Sequence, residues 1–128
     1  MTEDFSSDRG CALIVEDEFL IALDLEATMQ ALGFEVCALA PTAKEAISLA
    51  MRNPPDVVLM DVYLDGSRQG IEAARWLRTV CDVPVIFVTA HSDYGTLERI
   101  RQAMPGSPVL TKPVYPEHLA EAIAEIVN

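Results

Sequence analysis

Carboxylates stand at the ends of two apolar runs in this chain, and a threonine and a lysine stand at the ends of two more. Ala12-Leu13-Ile14-Val15 ends on Glu16-Asp17, and Val57-Val58-Leu59-Met60 ends on Asp61. Val85-Ile86-Phe87-Val88 ends on Thr89, and Val109-Leu110-Thr111 ends on Lys112-Pro113. A carboxylate can attack phosphorus and form an aspartyl phosphate. Such transfer asks mainly for positioning and for neutralisation of charge on the equatorial oxygens. Lys112 offers a compact, mobile positive charge for that purpose, and Thr89 offers a hydroxyl to a phosphoryl oxygen. Glu16, Asp17 and Asp61, brought together, would repel one another unless a cation sat among them. Mg²⁺ suits that place, because it prefers oxygen ligands and is commonly held by one or two carboxylates plus phosphate.

The elements must bring these residues to one rim. Short continuous apolar runs rich in Val, Ile and Leu suit parallel strands buried on both faces. Ligands of open α/β sheets bind in the crevice outside the carboxyl ends of such strands. Between the strands, helical signals recur. Leu20, Leu23, Ala27 and Ala31 fall at steps of three and four, and that helix stops near Gly33. Phe34 to Leu39 reads as the second strand. Thr42 and Glu45 form a capping-box pattern before a stripe of Ala43, Ala46, Ile47 and Ala50, and Pro54-Pro55 ends that helix. Asp65-Gly66 turns the chain towards a third stripe of Ile71, Ala74 and Leu77. Asp93 is placed to cap a helix carrying Leu97, Ile100 and Met104, which Pro105-Gly106 stops. Pro116 opens a final helix with Leu119, Ala122, Ile123 and Ile126 inward. The alternation predicts an α/β fold: a five-stranded parallel sheet, doubly wound (flavodoxin-like), with five helices over residues 10–128 and a flexible lead-in over residues 1–9.

Composition narrows the function. A chain of 128 residues suits one domain. Its formal net charge of −11, from 9 basic and 20 acidic residues, argues against a phosphate-backbone binder and against direct nucleic-acid contact. No apolar stretch reaches the roughly 20 residues that cross a bilayer, and the polar N-terminus lacks the apolar core of a signal peptide, so a cytoplasmic protein without membrane contact is expected. Cys11, Cys37 and Cys81 show no metal-ligand spacing and read as small buried apolar residues.

Taken in order, Val15-Glu16-Asp17-Glu18, Val58-Leu59-Met60-Asp61 with Asp65-Gly66 behind it, Val88-Thr89-Ala90 and Thr111-Lys112-Pro113 form a specific set. From about Cys11 onward the chain resembles a response-regulator receiver domain of two-component signalling. The resemblance implies that Asp61 accepts phosphate from a histidine kinase or a histidine phosphotransfer protein. It implies that Asp17 and Asp61 ligate Mg²⁺, that Glu16 acts through water, and that the backbone carbonyl of Tyr63 completes the protein ligands. Thr89 would bind a phosphoryl oxygen and move on modification, Lys112 would pair with the phosphate, and the Lys112–Pro113 peptide bond would be cis. Tyr63 and His91 occupy positions that, the resemblance implies, border the path of attacking water and modulate phosphoryl lifetime. Val109 stands where the family often has an aromatic residue that swings inward, and a valine has no ring to swing. The last two helices with the fifth strand are the family's usual docking face, for a downstream protein target or a homodimer.

Other residues have plainer readings. Glu18 reads as a solvent-facing acid of the first helix, His118 as a surface residue, Trp76 as half-buried packing, and Arg99 and Arg101 as a solvated face. The same chemistry admits a receiver portion of a hybrid histidine kinase or longer regulator. A small aspartyl-nucleophile phosphatase fits less well, since Tyr63 replaces the second acid such enzymes carry two residues after the nucleophile. A nucleotide- or flavin-binding module lacks its glycine-rich loop here, where Glu16-Asp17-Glu18 stands instead.

Overall fold

Five apolar segments pair side by side and in the same direction, in the order β2-β1-β3-β4-β5. The computed structural model describes residues 9–65 and 69–126. Its strands are β1 (Cys11–Val15), β2 (Glu35–Ala40), β3 (Val57–Asp61), β4 (Val85–Thr89) and β5 (Val109–Thr111). Its helices are α1 (Phe19–Ala31), α2 (Ala43–Arg52), α3 (Gln69–Cys81), α4 (Tyr94–Ala103) and α5 (Pro116–Ile126). Residues 1–8 of the expected lead-in and Gly66 of the expected turn lie outside the described residues. Among the described residues no helix is long and apolar enough to cross a membrane.

Side-chain alternation along the strands feeds two cores. Leu13, Val15, Val58, Met60, Val85 and Phe87 face α2, α3 and α4 through Ala46, Ala50, Leu77 and Ile100. Ala12, Ile14, Val57, Leu59, Ile86 and Val88 face α1 and α5 through Leu25, Met29, Leu119 and Ile123. Helices cover both faces, so the central strands are apolar up to their carboxyl ends, which is why they read as unbroken runs. The strand order reverses between β1 and β3, and there the ends of both strands open a crevice between the helices that leave in opposite directions.

Local chemistry fixes the helix starts. Thr42 Oγ1 accepts from the Glu45 N–H at 3.1 Å, and Asp93 Oδ2 accepts from the Thr96 N–H at 3.0 Å. These two caps satisfy amides that the first helical turn leaves without partners. The joint ahead of β1 is also held by a side chain: Asp56 Oδ2 accepts from the Cys11 N–H at 2.7 Å.

Three expectations fail. α1 buries Ala22, Leu25 and Met29, whereas Leu20 is 79 % exposed and Leu23 faces outward. The helix is apolar on both sides, so two stripes at helical spacing compete, and packing against the sheet selects the one holding Met29. Leu97 is likewise more exposed than its stripe implied, and the fully buried Thr96 takes the inward place beside Ile100. The cysteines are not core residues: Cys11 and Cys81 are partly buried and Cys37 is exposed. Cys37 is the extra residue of β2 at a bulge, because Ala12 pairs with Val36 and Leu13 with Ala38. Its thiol donates to the Ala12 carbonyl at 3.2 Å, and burial of the sulfur, with Cys11 close by, pushes its pKa up to about 12.

Met29→Ala should therefore lower unfolding stability by about 2–5 kcal/mol, as removal of a buried methionine does. Leu20→Ser on the opposite face should change it by no more than about 0.5 kcal/mol. Urea denaturation of both variants checks which face is inward.

Candidate functional site

The β1 run stops being apolar at Glu16, whose backbone N–H still pairs with the Ala40 carbonyl at 3.0 Å. The sheet therefore grips the residue, which is only 3 % exposed. Glu16 Oε2 accepts from the Glu18 N–H at 3.1 Å, and Oε1 lies 2.8 Å from the Lys112 ammonium as an ion pair without a well-aligned hydrogen bond. Asp17 follows into solvent, where its Oδ2 accepts from the Asp65 N–H at 3.3 Å. That bond ties the β1–α1 loop to the β3–α3 loop.

Asp61 ends β3 and is 5 % exposed. Its Oδ1 accepts from the Tyr63 N–H at 3.2 Å, and its Oδ2 lies 3.2 Å from Lys112 Nζ. Lys112 thus bridges two buried carboxylates from two different strands. The lysine is itself anchored, since its backbone N–H donates to the Thr89 carbonyl at 2.8 Å. The peptide bond that follows, Lys112–Pro113, is cis. Thr89 is fully buried one step past Val88, the register partner of Asp61, and its Oγ1 accepts from the His91 N–H at 2.9 Å. The Tyr63 and His91 rings pack at a tilt of 49° with centroids 4.2 Å apart. Val109 is partly buried against the core and pairs with Phe87.

Electrostatics follow from burial. Desolvation raises the Glu16 carboxyl from its ordinary 4.5 to about 7, with the Lys112 ammonium opposing and the Asp61 charge adding to the rise. Desolvation also raises Asp61, against the pull of Lys112. Lys112 would be lowered by its own burial, but Glu16 and Asp61 outweigh that and leave it above its ordinary value. Oxygens of Glu16, Asp17 and Asp61 lie within 4.8 Å of one another. Three carboxylates facing a single ammonium form an all-oxygen donor set with excess negative charge, which fits a hard divalent cation.

The sequence-derived residues Glu16, Asp17, Asp61 and Lys112 meet at one rim, and Tyr63, Thr89 and His91 border it. Glu18 is exposed and lies outside the acidic group. His118 is exposed on α5, where it meets Tyr115 edge-on at 5.7 Å. Arg101 pairs with Glu98 on the exposed side of α4. Sequence reasoning missed Gly70. A Cβ there would run into the Asp61 carbonyl oxygen and come within 2.8 Å of that of Val62. Its amide donates to the Val62 carbonyl at 3.0 Å, so α3 begins directly against the backbone that carries Asp61. A glycine at the start of a helical pattern was the available signal.

A family model described as the response regulator receiver domain matches residues 12–124. The chain belongs to that family. This receiver domain is 36 % identical over 115 residues to the phyllosphere-induced regulator PhyR of Methylorubrum extorquens, covering 88 % of this chain and 42 % of that protein. It is 37 % identical over 116 residues to the transcriptional regulatory protein PdtaR of Mycobacterium tuberculosis, covering 91 % of this chain and 56 % of that protein. The receiver chain spans about half the length of these curated relatives. A signal receiver domain of a modulated diguanylate cyclase from Desulfovibrio desulfuricans G20 superposes with a TM-score of 0.82 at 34 % identity, covering 91 % of this chain and 92 % of that one. Receiver domains are signalling modules that work with histidine kinases or phosphotransfer proteins.

Two outcomes test the geometry of the receiver site. Folding raises the pKa of Glu16, so the protonated form is favoured in the fold, and the stability this confers is full below about pH 4.5 and lost as pH rises through 7. In chelator, thermal midpoints should fall between pH 5 and 8, and Glu16→Gln should flatten that slope. Gly70→Ala should lower stability by about 1–3 kcal/mol or more through overpacking, and should weaken any function of Asp61 more than a stability-matched core variant does.

Proposed function

We propose that Asp61 receives a phosphoryl group from a phosphohistidine donor in a Mg²⁺-dependent reaction, and that the modified domain signals by changed protein–protein binding or passes the group on. One observation carries this proposal: the Lys112 ammonium lies 3.2 Å from Asp61 Oδ2 inside a group of three convergent carboxylates. An Asp61 oxygen bonds to phosphorus as the donor's N–P bond breaks, and the imidazole leaves with the bonding electron pair. Lys112 then offers its charge to a phosphoryl oxygen, and the Thr89 hydroxyl donates to another. Glu16, Asp17, Asp61 and the Tyr63 backbone carbonyl would hold Mg²⁺, which when bound cancels carboxylate repulsion and neutralises charge on the transferred group. Loss of the group is the same chemistry with water as acceptor, so the domain catalyses only its own phosphorylation and dephosphorylation. Tyr63 and His91 stand on the approach that such water takes, and their bulk slows it.

The donor is a histidine kinase or a histidine phosphotransfer protein, acting in the cytoplasm on a folded unit of residues 10–128 that follows a lead-in of residues 1–9. The net charge of −11 supports protein partners over nucleic acid for output, through a downstream target or a homodimer. Val109 supplies no aromatic ring to move on activation, so in this reading output coupling takes another route. The coverage of 42 % and 56 % of the curated relatives favours a second reading, a receiver portion of a hybrid kinase or longer regulator. The Asp61 chemistry is common to both.

Acetyl phosphate with Mg²⁺ should produce a species retarded on a phosphate-affinity gel, absent in Asp61→Asn and in chelator. Labelling that persists in Asp61→Asn would sink the assignment. Lys112→Ala should slow labelling by about 10²-fold, the scale on which a preorganised charge-stabilising group acts, while Mg²⁺ affinity read by titration stays close to that of the parent.

A further inference from the structure

Tyr63 is held at two points. Its backbone N–H donates to Asp61 Oδ1 at 3.2 Å, and its phenol oxygen lies 3.2 Å from Thr96 Oγ1 in the first turn of α4. Thr96 is fully buried although it sits at a helix start, and its hydroxyl donates to Asp93 Oδ1 at 2.9 Å. A hydroxyl has one proton, and the Asp93 carboxylate accepts only, so the direction of the chain is fixed: Tyr63 O–H donates to Thr96, and Thr96 O–H donates to Asp93. The other Asp93 oxygen accepts from the Thr96 N–H at 3.0 Å as the N-cap of α4. One side chain therefore both caps α4 and receives the chain that starts on Asp61.

A second arm meets the first at the Tyr63 ring. His91 packs on that ring with centroids 4.2 Å apart, and the His91 N–H donates to Thr89 Oγ1 at 2.9 Å. Asp61 and Thr89, the two groups assigned to the phosphoryl group, are thus each one hydrogen bond from the Tyr63–His91 pair. Bonding phosphorus to the Asp61 carboxylate removes its charge, and the Tyr63 N–H loses a charge-assisted acceptor. The contact of its hydroxyl with Thr96, at 3.2 Å, is already long for a hydroxyl pair, so movement of Tyr63 away from α4 weakens it.

We propose that Thr96 is a positioning residue that transmits the state of Asp61 to the first turn of α4, through Tyr63 on one side and the Asp93 cap on the other. This proposal rests on Asp61 being the phosphoacceptor. It gives the domain a route for output that needs no aromatic residue at Val109. Thr96→Val cuts the link with little change of volume and leaves the backbone N–H on Asp93, so the cap survives. Thr96→Ser keeps the hydroxyl.

The test measures amide hydrogen exchange over residues 93–101 in the full chain, with and without acetyl phosphate plus Mg²⁺, after intact mass has shown the extent of Asp61 labelling. In the parent and in Thr96→Ser, exchange over that segment should differ between the labelled and unlabelled forms. In Thr96→Val, labelling should reach the parent extent while the difference is lost. Tyr63→Phe, which removes the first donor of the chain, should lose the difference too, and it serves if Thr96→Val does not fold. Equal responses in the parent and in whichever of the two variants folds, or a labelled parent without any response in α4, overturn the coupling and leave the phosphoacceptor assignment standing. A parent chain that takes no label on Asp61 overturns both.

Discussion

The Lys112 ammonium sits between two carboxylates that the sheet has removed from water, 2.8 Å from Glu16 Oε1 and 3.2 Å from Asp61 Oδ2. Desolvating either acid alone is unfavourable, which is why both pKa values rise despite the cation. The arrangement persists because the groups come from three strand ends whose positions the hydrophobic core fixes. The same excess of negative charge makes the rim receptive to a divalent cation and to the charge neutralisation that phosphoryl transfer demands. Stability and reactivity are thus set by one balance of burial against Coulomb attraction.

Backbone connections convert that balance into a rigid frame. The Asp65 N–H on Asp17, the Lys112 N–H on the Thr89 carbonyl and the Gly70 N–H on the Val62 carbonyl each join one loop of the rim to another element. The close approach at Gly70 leaves no room for even a methyl group, so α3 and the end of β3 move as one piece. The first turn of α4 is joined to this frame through side chains, by the contact of the Tyr63 hydroxyl with Thr96.

The strands and the acidic group were legible in the sequence because burial on both faces demands unbroken apolar runs, and because the switch to a polar residue marks the carboxyl end of each run. The caps at Thr42 and Asp93 were legible for an equally local reason, a side-chain oxygen three residues before an amide that needs it. The inward face of α1 was not, since Leu20-Leu23-Ala27-Ala31 and Ala22-Leu25-Met29 have the same spacing and only contact with the sheet separates them. Cys37 was misread because a bulge, invisible in composition, shifts the register and turns the residue outward. Gly70 stood out only as a glycine at the start of a helical pattern, with nothing to show the carbonyls it meets, and the Tyr63–Thr96 contact joins segments 33 residues apart, which local pattern does not encode.

Both borders of the sheet are poor templates for another strand. β2 carries the Cys37 bulge, and β5 is only Val109–Thr111. Neither offers a long flat row of unpaired amides and carbonyls, so the molecule resists edge-to-edge aggregation and does not favour extended peptides that bind by joining a sheet. Recognition is left to helices and loops, whose side chains can be exchanged without disturbing the central ladder.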